Sequence, residues 1–500
     1  MRRMLLAAVL ALAAPSAVLA QPAPAEIASA IPAIDRIFAD WRLDAHSPGL
    51  VYGIVAGGRL VHVNAFGVQD IETRRSVTDD TLFRIASMTK AFTALSILRL
   101  RDEGRLSLDA LAETYVPELQ GWRYPVSDWP RIRVRDLLSH TAGFVTDDPW
   151  GDRQTPLPEA EFSAMLRRGV PFTRPPGTAY EYSNFGYALL GRIVQNVSGR
   201  PYRSYVETNI LRPLRMTSSG FEVGEAPRER RAIGYRWENS AWLREPDMAH
   251  GAFGAMGGLQ TSADDYSRWV AFLLSAWPAR DSDETGPARR ASVRELAQGL
   301  NFPNLAIRPG RTGASSCRQA STYGMGMRVA QDCEVGLTLA HGGGYPGYGS
   351  YVLLLPEHGI GIFAFSNRTY SGPSSAVWDS AMALHRAGAL TGRRPAISDA
   401  LARGYTAAAA AWRAGDVAAA GDHLAMNFLM DRSRENWRAE LARLRGEVGG
   451  CDTASAVSPT GLLSGTFSWR CEHGRISGNL LLAPTTPATI QALRLSVETP

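Results

Sequence analysis

The sequence predicts an α+β chain: an antiparallel sheet flanked by helices, with a mainly helical lobe inserted into it, and a small second α+β domain behind. Three observations predict this. β-rich runs stand near residues 50–67 and again after about 335, on either side of a middle that is mostly helical and loop-rich. Strands at both ends of such a region are most economically joined in one sheet, with the helical part carried as a lobe. The composition then shifts near 390–400, through "TGRRPAISDA", to alanine-rich helices followed by strands. The expected division is a signal peptide over 1–20, a main domain over 21–392 and a C-terminal α+β domain over 393–500.

The elements follow in order. Arg2 and Arg3 precede an apolar run from Met4 to about Leu12, and "PSAVLA" sets Val18 and Ala20 at the small positions of a cleavage site. That is the pattern of a secretory signal. The run is too short to span a bilayer, so a soluble mature chain is expected, periplasmic or secreted and without a stable membrane anchor. "LVYGIVAGGRLVHVNAFG" gives two strands around Gly57-Gly58, a hairpin signal. A helix is expected from Ser87 through "AFTALSILRLRDE" to Gly104. After the helical middle, "VGLTLAH", "YGSYVLLL" and "IGIFAFSN" read as strands, the last two joined by a turn at "PEHG". In the tail, "LARGYTAAAAAWRAG" and "RSRENWRAELARLRGEVGG" read as helices. "GTFSWRCEHG", "GNLLLAP" and "IQALRLSV" read as strands.

Composition narrows the functional classes. Hydrophobic content of 45% with 20% charged residues suits a globular chain, and a net charge of +5 is small for 500 residues. The densest basic cluster, "RERR" at Arg228–Arg231, carries its own glutamate and reads as a solvated face. No basic stripe with interleaved aromatics points to nucleic acid. Cys317, Cys333, Cys451 and Cys471 form no Cys-x-x-Cys pair and no His-Glu-x-x-His occurs, which disfavours a metal site. In an exported chain two disulfides are expected. Three connectivities are formally open; the sequence-local one, Cys317–Cys333 and Cys451–Cys471, is favoured because each pair brackets a short candidate hairpin or loop.

The chemistry concentrates around one residue. Lys90 is the single lysine among 53 lysines and arginines. It follows Ser87 by three positions, which on a helix sets both on one face. A serine needs a base to become a nucleophile. An amine can serve once burial depresses its pKa, whereas a guanidinium keeps its proton. Ser87 could equally be a helix cap. Tyr182 stands on the turn before a second amphipathic helix and could be a base or proton relay. Asn184, two residues on, could donate to a substrate carbonyl or merely cap that helix. His341-Gly342-Gly343-Gly344 lies on a strand edge, where glycines allow close approach to the backbone. The Gly344 N–H with that of Ser87 would form an oxyanion hole. His341 could meet a substrate carboxylate or assist proton transfer.

Taken in order, Ser-x-x-Lys, Tyr-x-Asn and His-Gly-Gly resemble the penicillin-recognising serine hydrolases, in the branch of class C β-lactamases, D,D-carboxypeptidases, D-aminopeptidases and related esterases. "LLSHTAGF", "PPGTAYEYSNFGYALLG", "GGLQTSADDYSRW" and "HGGGYPGYGSYVLLLPEHGIGIFAFSN" extend the resemblance over roughly 30–390. It implies a β-lactamase/transpeptidase-like sheet, with Ser87 as the acylated nucleophile and Lys90 and Tyr182 sharing the acid/base work. It also implies that Asn184, His341, Gly343 and Gly344 line the cleft. Where β-lactamases carry Lys-Thr/Ser-Gly, this chain has His341-Gly342-Gly343. The hydroxyl that helps hold a β-lactam carboxylate is missing, which favours peptidase, aminopeptidase or esterase substrates over a true β-lactamase. The tail resembles a cystatin- or nuclear-transport-factor-like cone. The expected function is therefore an exported serine hydrolase acting on a small molecule or short peptide, including D-amino-acid or β-lactam substrates, with no metal or organic cofactor. The rival is a catalytically silent envelope protein that binds penicillin or peptidoglycan peptides.

Overall fold

The computed structural model describes residues 24–301, 303–308, 317–393 and 395–498. The expected signal peptide lies outside the described residues. Two compact units divide the chain: residues up to 276 with 284–391, and residues 277–283 with those from 392 on.

In the first unit, helix α1 (Ala25–Asp44) leads into the hairpin β1 (Gly49–Ala56) and β2 (Arg59–Asp70), followed by a two-residue edge strand β3 (Arg75–Ser76). The lobe contains α2 (Thr89–Asp102), a short turn of helix at Trp150–Arg153, α3 (Asn184–Ser198) and α4 (Ala263–Leu274). The chain then returns to the sheet as β4 (Asn304–Ile307), β5 (Arg318–Tyr323), β6 (Arg328–Asp332), β7 (Gly336–Tyr345), β8 (Tyr348–Leu355) and β9 (Ile360–Ser366), closing with helix α5 (Ser374–Arg386). The sheet order is β3-β2-β1-β9-β8-β7-β6-β5-β4. Every neighbouring pair is antiparallel. The first and last long strands lie side by side, Leu50 opposite Ser366 and Ala56 opposite Ile360. The strands β4–β6 extend the sheet beyond the sequence expectation. They are short, and "RQASTY" and "RVAQD" carry little of the apolar alternation that marks a strand.

Both sheet faces are covered. On α1 the buried positions Ile27, Ala30, Ile34, Phe38 and Trp41 recur every three or four residues, so one apolar stripe packs on the sheet with Trp378 and Leu384 of α5. Helix α4 covers the other face, where the Tyr266 ring meets Phe363 and Phe365. Helix α2 is different: from Thr89 to Leu98 every residue is buried, polar ones included. A helix enclosed on all sides is a rigid platform for whatever its first turn carries.

The second unit has the helices Asp399–Ala414 and Arg434–Val448 and an antiparallel five-stranded sheet containing Ser464–Cys471, Gly474–Leu482 and Ile490–Glu498. Its own core joins Leu401, Trp412, Trp437, Leu441, Phe467 and Trp469. The sulfurs of Cys317 and Cys333 lie at bonding distance in the first unit, and those of Cys451 and Cys471 in the second. Cys451 and Cys471 stand directly opposite one another across two strands. Among the described residues no helix is long and apolar enough to cross a membrane.

Candidate active site

Ser87 sits in a single 3-10 turn, Ala86–Met88, that runs straight into α2. Ala86, just before it, has φ +50, a region that costs energy for a residue with a side chain. This bend turns Ser87 toward the edge of β7. Strand β6 ends at Arg328, opposite Ala340, so residues 341–345 of β7 have no strand on that side. The turn carrying Ser87 lies over the face of β7 at Gly343, where Ser350 Oγ donates to the Ile85 carbonyl at 2.8 Å. A Cβ on Gly343 would come 2.4 Å from the carbonyl oxygen of Ile85, so only glycine lets the strand lie this close. Gly326, at φ +76, does the same for the β5–β6 loop, where a Cβ would stand 2.7 Å from the Lys90 carbonyl.

Lys90 is fully buried. Its ammonium donates to Ser87 Oγ at 3.1 Å, to Asn184 Oδ1 at 2.7 Å and to the Met256 carbonyl at 2.9 Å. Burial pulls its pKa down to about 8, against the opposing attraction of Asp148, Asp152 and Asp147. Three hydrogens meet three acceptors while the amine is charged. Once it is neutral, Asn184 and Met256 retain two of them, and the freed lone pair faces Ser87 Oγ. That arrangement can accept the serine proton. A guanidinium in its place could not.

Tyr182 lies beside this pair, with Lys90 Nζ 4.8 Å from its ring centre, and its hydroxyl is near enough to Ser87 to interact with it electrostatically. Burial, reinforced by Asp148, pushes its pKa well above the ordinary tyrosine value. The phenol is therefore neutral at physiological pH, a state that can relay a proton but is not an anionic base. Below it, the His140 ring packs 4.3 Å from that of Tyr182 and accepts the Ser183 N–H on Nδ1 at 3.1 Å.

Residues 31–387 match the profile of the Beta-lactamase family. The chain belongs to the Beta-lactamase family. It is thereby related to serine hydrolases that act on small-molecule or peptide substrates. Protein flp of Staphylococcus aureus (strain NCTC 8325 / PS 47) is 28% identical over 342 residues, 67% of this chain and 62% of its own. The chain thus spans less than two thirds of the length of that curated relative. Uncharacterized protein MT1414 of Mycobacterium tuberculosis (strain CDC 1551 / Oshkosh) is 33% identical over 242 residues, 43% of this chain and 59% of its own. In fold, the chain resembles an octameric penicillin-binding protein homologue from Pyrococcus abyssi, with a TM-score of 0.56 at 19% identity over 94% of this chain and 100% of that one.

At two residues expected in this Beta-lactamase-family site the surroundings are specific. Asn184 is not the helix cap: Ser183 caps α3, accepting from the Gly186 N–H at 3.2 Å. The Asn184 amide is buried, its oxygen on Lys90 and its nitrogen on Asp148. It positions the lysine. The charged form of His341 is disfavoured. Burial, with Lys90 close by, lowers its pKa to about 3. Its Nδ1 lies 2.6 Å from the Gly342 carbonyl and its Nε2 2.9 Å from the Tyr323 hydroxyl. A carbonyl can only accept, so Nδ1 carries the hydrogen and Nε2 accepts from Tyr323. Both imidazole nitrogens are thus engaged within the protein.

Sequence reasoning missed the acids. Asp147 accepts the Asn184 and Phe185 N–H groups at 2.6 and 2.8 Å, at the positive end of α3. Asp152 is buried and its pKa is raised, by burial first and then by Asp148. Together with Asp148 they offset the cost of enclosing an ammonium. "TDDPWGD" has no motif to announce them; the available signal was that a buried lysine requires nearby negative charge. It also missed Arg328. This residue stands opposite Ala340 and therefore on the same sheet face as Gly342, two positions along β7. It is exposed, and its electrostatic neighbours are Tyr180, Tyr323, Tyr182 and Tyr351. Cys317, Asp332 and Cys333 lie close enough to share a metal, but sulfurs at bonding distance to each other do not supply thiolates.

Proposed function

We propose that the protein is an exported serine hydrolase that cleaves an amide or ester bond through an acyl-enzyme on Ser87, with short peptides and related esters bearing a free carboxylate as substrates. The observation that carries this reading is the Lys90 ammonium, buried and held at 3.1 Å from Ser87 Oγ by two other fixed acceptors. A lysine retained there for charge alone would be costly, since burial disfavours the charged form.

In the proposed reaction, neutral Lys90 takes the Ser87 proton as Oγ attacks the substrate carbonyl carbon. The oxyanion forms between the N–H groups of Ser87 and Gly344. The lysine proton passes, with Tyr182 as relay, to the departing nitrogen or oxygen as the scissile bond breaks. Water then repeats the sequence in place of the leaving group and releases the acid. Such a base contributes about 10²–10⁴-fold, and loss of one oxyanion donor costs about 10²–10³-fold.

Arg328 supports the choice of substrate. With His341 neutral and no hydroxyl at Gly342, the guanidinium at the Ala340 end is the cation left to receive an anionic group, and guanidinium suits carboxylate geometry. This favours peptidase or esterase activity over efficient β-lactam hydrolysis. Export, to the periplasm or medium, is supported by the Arg2–Ala20 pattern and by the two cysteine pairs. Labelling with a fluorescent penicillin and a fluorophosphonate tests the reading. A single adduct on Ser87 is expected; no adduct with either reagent would leave a silent binding protein.

A further inference from the structure

The open edge of β7 has two unlike ends. Arg328 stands at the Ala340 end. At the other, the ring of Tyr370 lies on Gly344, so that a Cβ there would come 2.7 Å from Tyr370 Cδ1. Tyr370 follows β9 on a turn at φ +52, and its N–H donates to the carbonyls of Tyr345 and Tyr348 at 3.3 and 3.2 Å. Although 43% exposed, its side chain is not loose. The hydroxyl donates to Asp152 Oδ2 at 3.0 Å, and Asp152 belongs to the opposite wall, on the Trp150–Arg153 turn. That turn is packed against the site, since a Cβ on Gly151 would come 2.8 Å from Asn184 Cβ.

The walls are tied a second time beside the first. Arg153 pairs with Glu245 at 3.2 Å, and Glu245 Oε1 accepts from Thr369 Oγ1 at 3.3 Å. Adjacent residues of one wall, 369 and 370, are thus joined to adjacent residues of the other, 152 and 153. The bond between Tyr370 and Asp152 spans the cleft just beyond the oxyanion position at Gly344.

The geometry points to a strap that closes the acyl end of the cleft: Tyr370, held by Asp152, limits this hydrolase to substrates whose acyl portion is short. The inference rests on the Ser87 acyl-enzyme reading. With the carbonyl carbon between Ser87 and Gly344, its two substituents must run in opposite directions along β7. The half bearing the carboxylate runs toward Arg328 and departs. The acyl half runs toward the Tyr370 ring, where a long chain has no path.

p-Nitrophenyl acetate, butyrate and octanoate, followed by nitrophenolate release, test it with a leaving group that carries no carboxylate. Each ester passes its acyl group to Ser87 Oγ as the aryl C–O bond breaks and nitrophenolate leaves, and water then cleaves the acyl-serine ester to release the acid. In the parent protein kcat/KM should fall steeply with chain length, since each methylene that does not fit costs on the order of 10- to 200-fold. Tyr370→Ala should raise the octanoate-to-acetate ratio by about tenfold or more, and Tyr370→Phe, which keeps the ring but loses its tether, by less. Melting temperatures close to the parent's would show that both variants are folded. An equal rate for acetate and octanoate in the parent, or an unchanged ratio in Tyr370→Ala, overturns the inference while acetyl-Ser87 is still detected by mass. Absence of acetyl-Ser87 in every variant overturns the acyl-enzyme reading as well.

Discussion

Lys90 Nζ stands 3.1 Å from Ser87 Oγ with its other two hydrogen-bonding directions occupied, by Asn184 Oδ1 and the Met256 carbonyl. Loss of one proton therefore leaves a lone pair aimed at the serine. Because the proposed reaction uses the neutral amine and burial brings its pKa down to about 8, acylation should accelerate with pH. The second-order rate of fluorophosphonate labelling should rise about tenfold per pH unit below 8 and level off above it. A rate that is flat from pH 6 to 9, or that falls, would contradict a base at this position.

Asn184 is the neutral acceptor that holds the lysine beside Ser87. Asn184→Asp places a carboxylate where the amide oxygen meets Nζ at 2.7 Å, favouring the ammonium by about 1–3 pKa units. The midpoint of the labelling profile should move up from about 8, with the rate at pH 7 falling roughly tenfold or more and recovering in alkali. A uniform loss at every pH would mean that Asn184 acts on substrate and not on the lysine.

The carboxylate site is tested by comparing a carboxylate-bearing ester with a neutral one. Arg328→Gln should weaken the charged substrate relative to the neutral one by about 1.5–3 kcal/mol, roughly 10- to 150-fold in KM. For the parent, that relative affinity should stay level between pH 5.5 and 8, because guanidinium does not titrate and His341 remains neutral down to about 3. A weakening centred near pH 6.5 would restore His341 as the cation.

Much of this site was legible in the sequence because its groups are local patterns. Ser87 and Lys90 are one helical turn apart, and the uniqueness of Lys90 marked it among arginines. The hairpin at Gly57-Gly58 and the strands of 336–366 announced themselves by apolar runs and turns. What stayed hidden depends on burial or on distant neighbours. The neutrality of His341 follows from its enclosure beside Lys90. The acids at 147–152 matter only because they converge on that lysine from another part of the chain. Arg328 is one arginine of many until strand register sets it beside Gly342. Asn184 looked like a cap because residues of its type favour that position; Ser183, one residue earlier, fills it.

The cysteines give an independent check on the fold. A non-reducing peptide map should link Cys317 to Cys333 and Cys451 to Cys471, whose separations are 16 and 20 residues. Loops of this size contribute about 3 kcal/mol each in the chain-entropy model, so reduction should lower the melting temperature. A bridge between the 317 and 451 regions would contradict the two-unit description.

The most direct measurement is the intact mass of the protein after timed exposure to a fluorophosphonate, for the parent, Lys90→Arg and Ser87→Ala. The parent should gain one adduct, mapped to Ser87, and Ser87→Ala none. Lys90→Arg, which keeps the charge but not the removable proton, should label about 10²–10⁴-fold more slowly. Labelling of Lys90→Arg at the parent rate would show that Lys90 supplies only positive charge, and would contradict its assignment as the base.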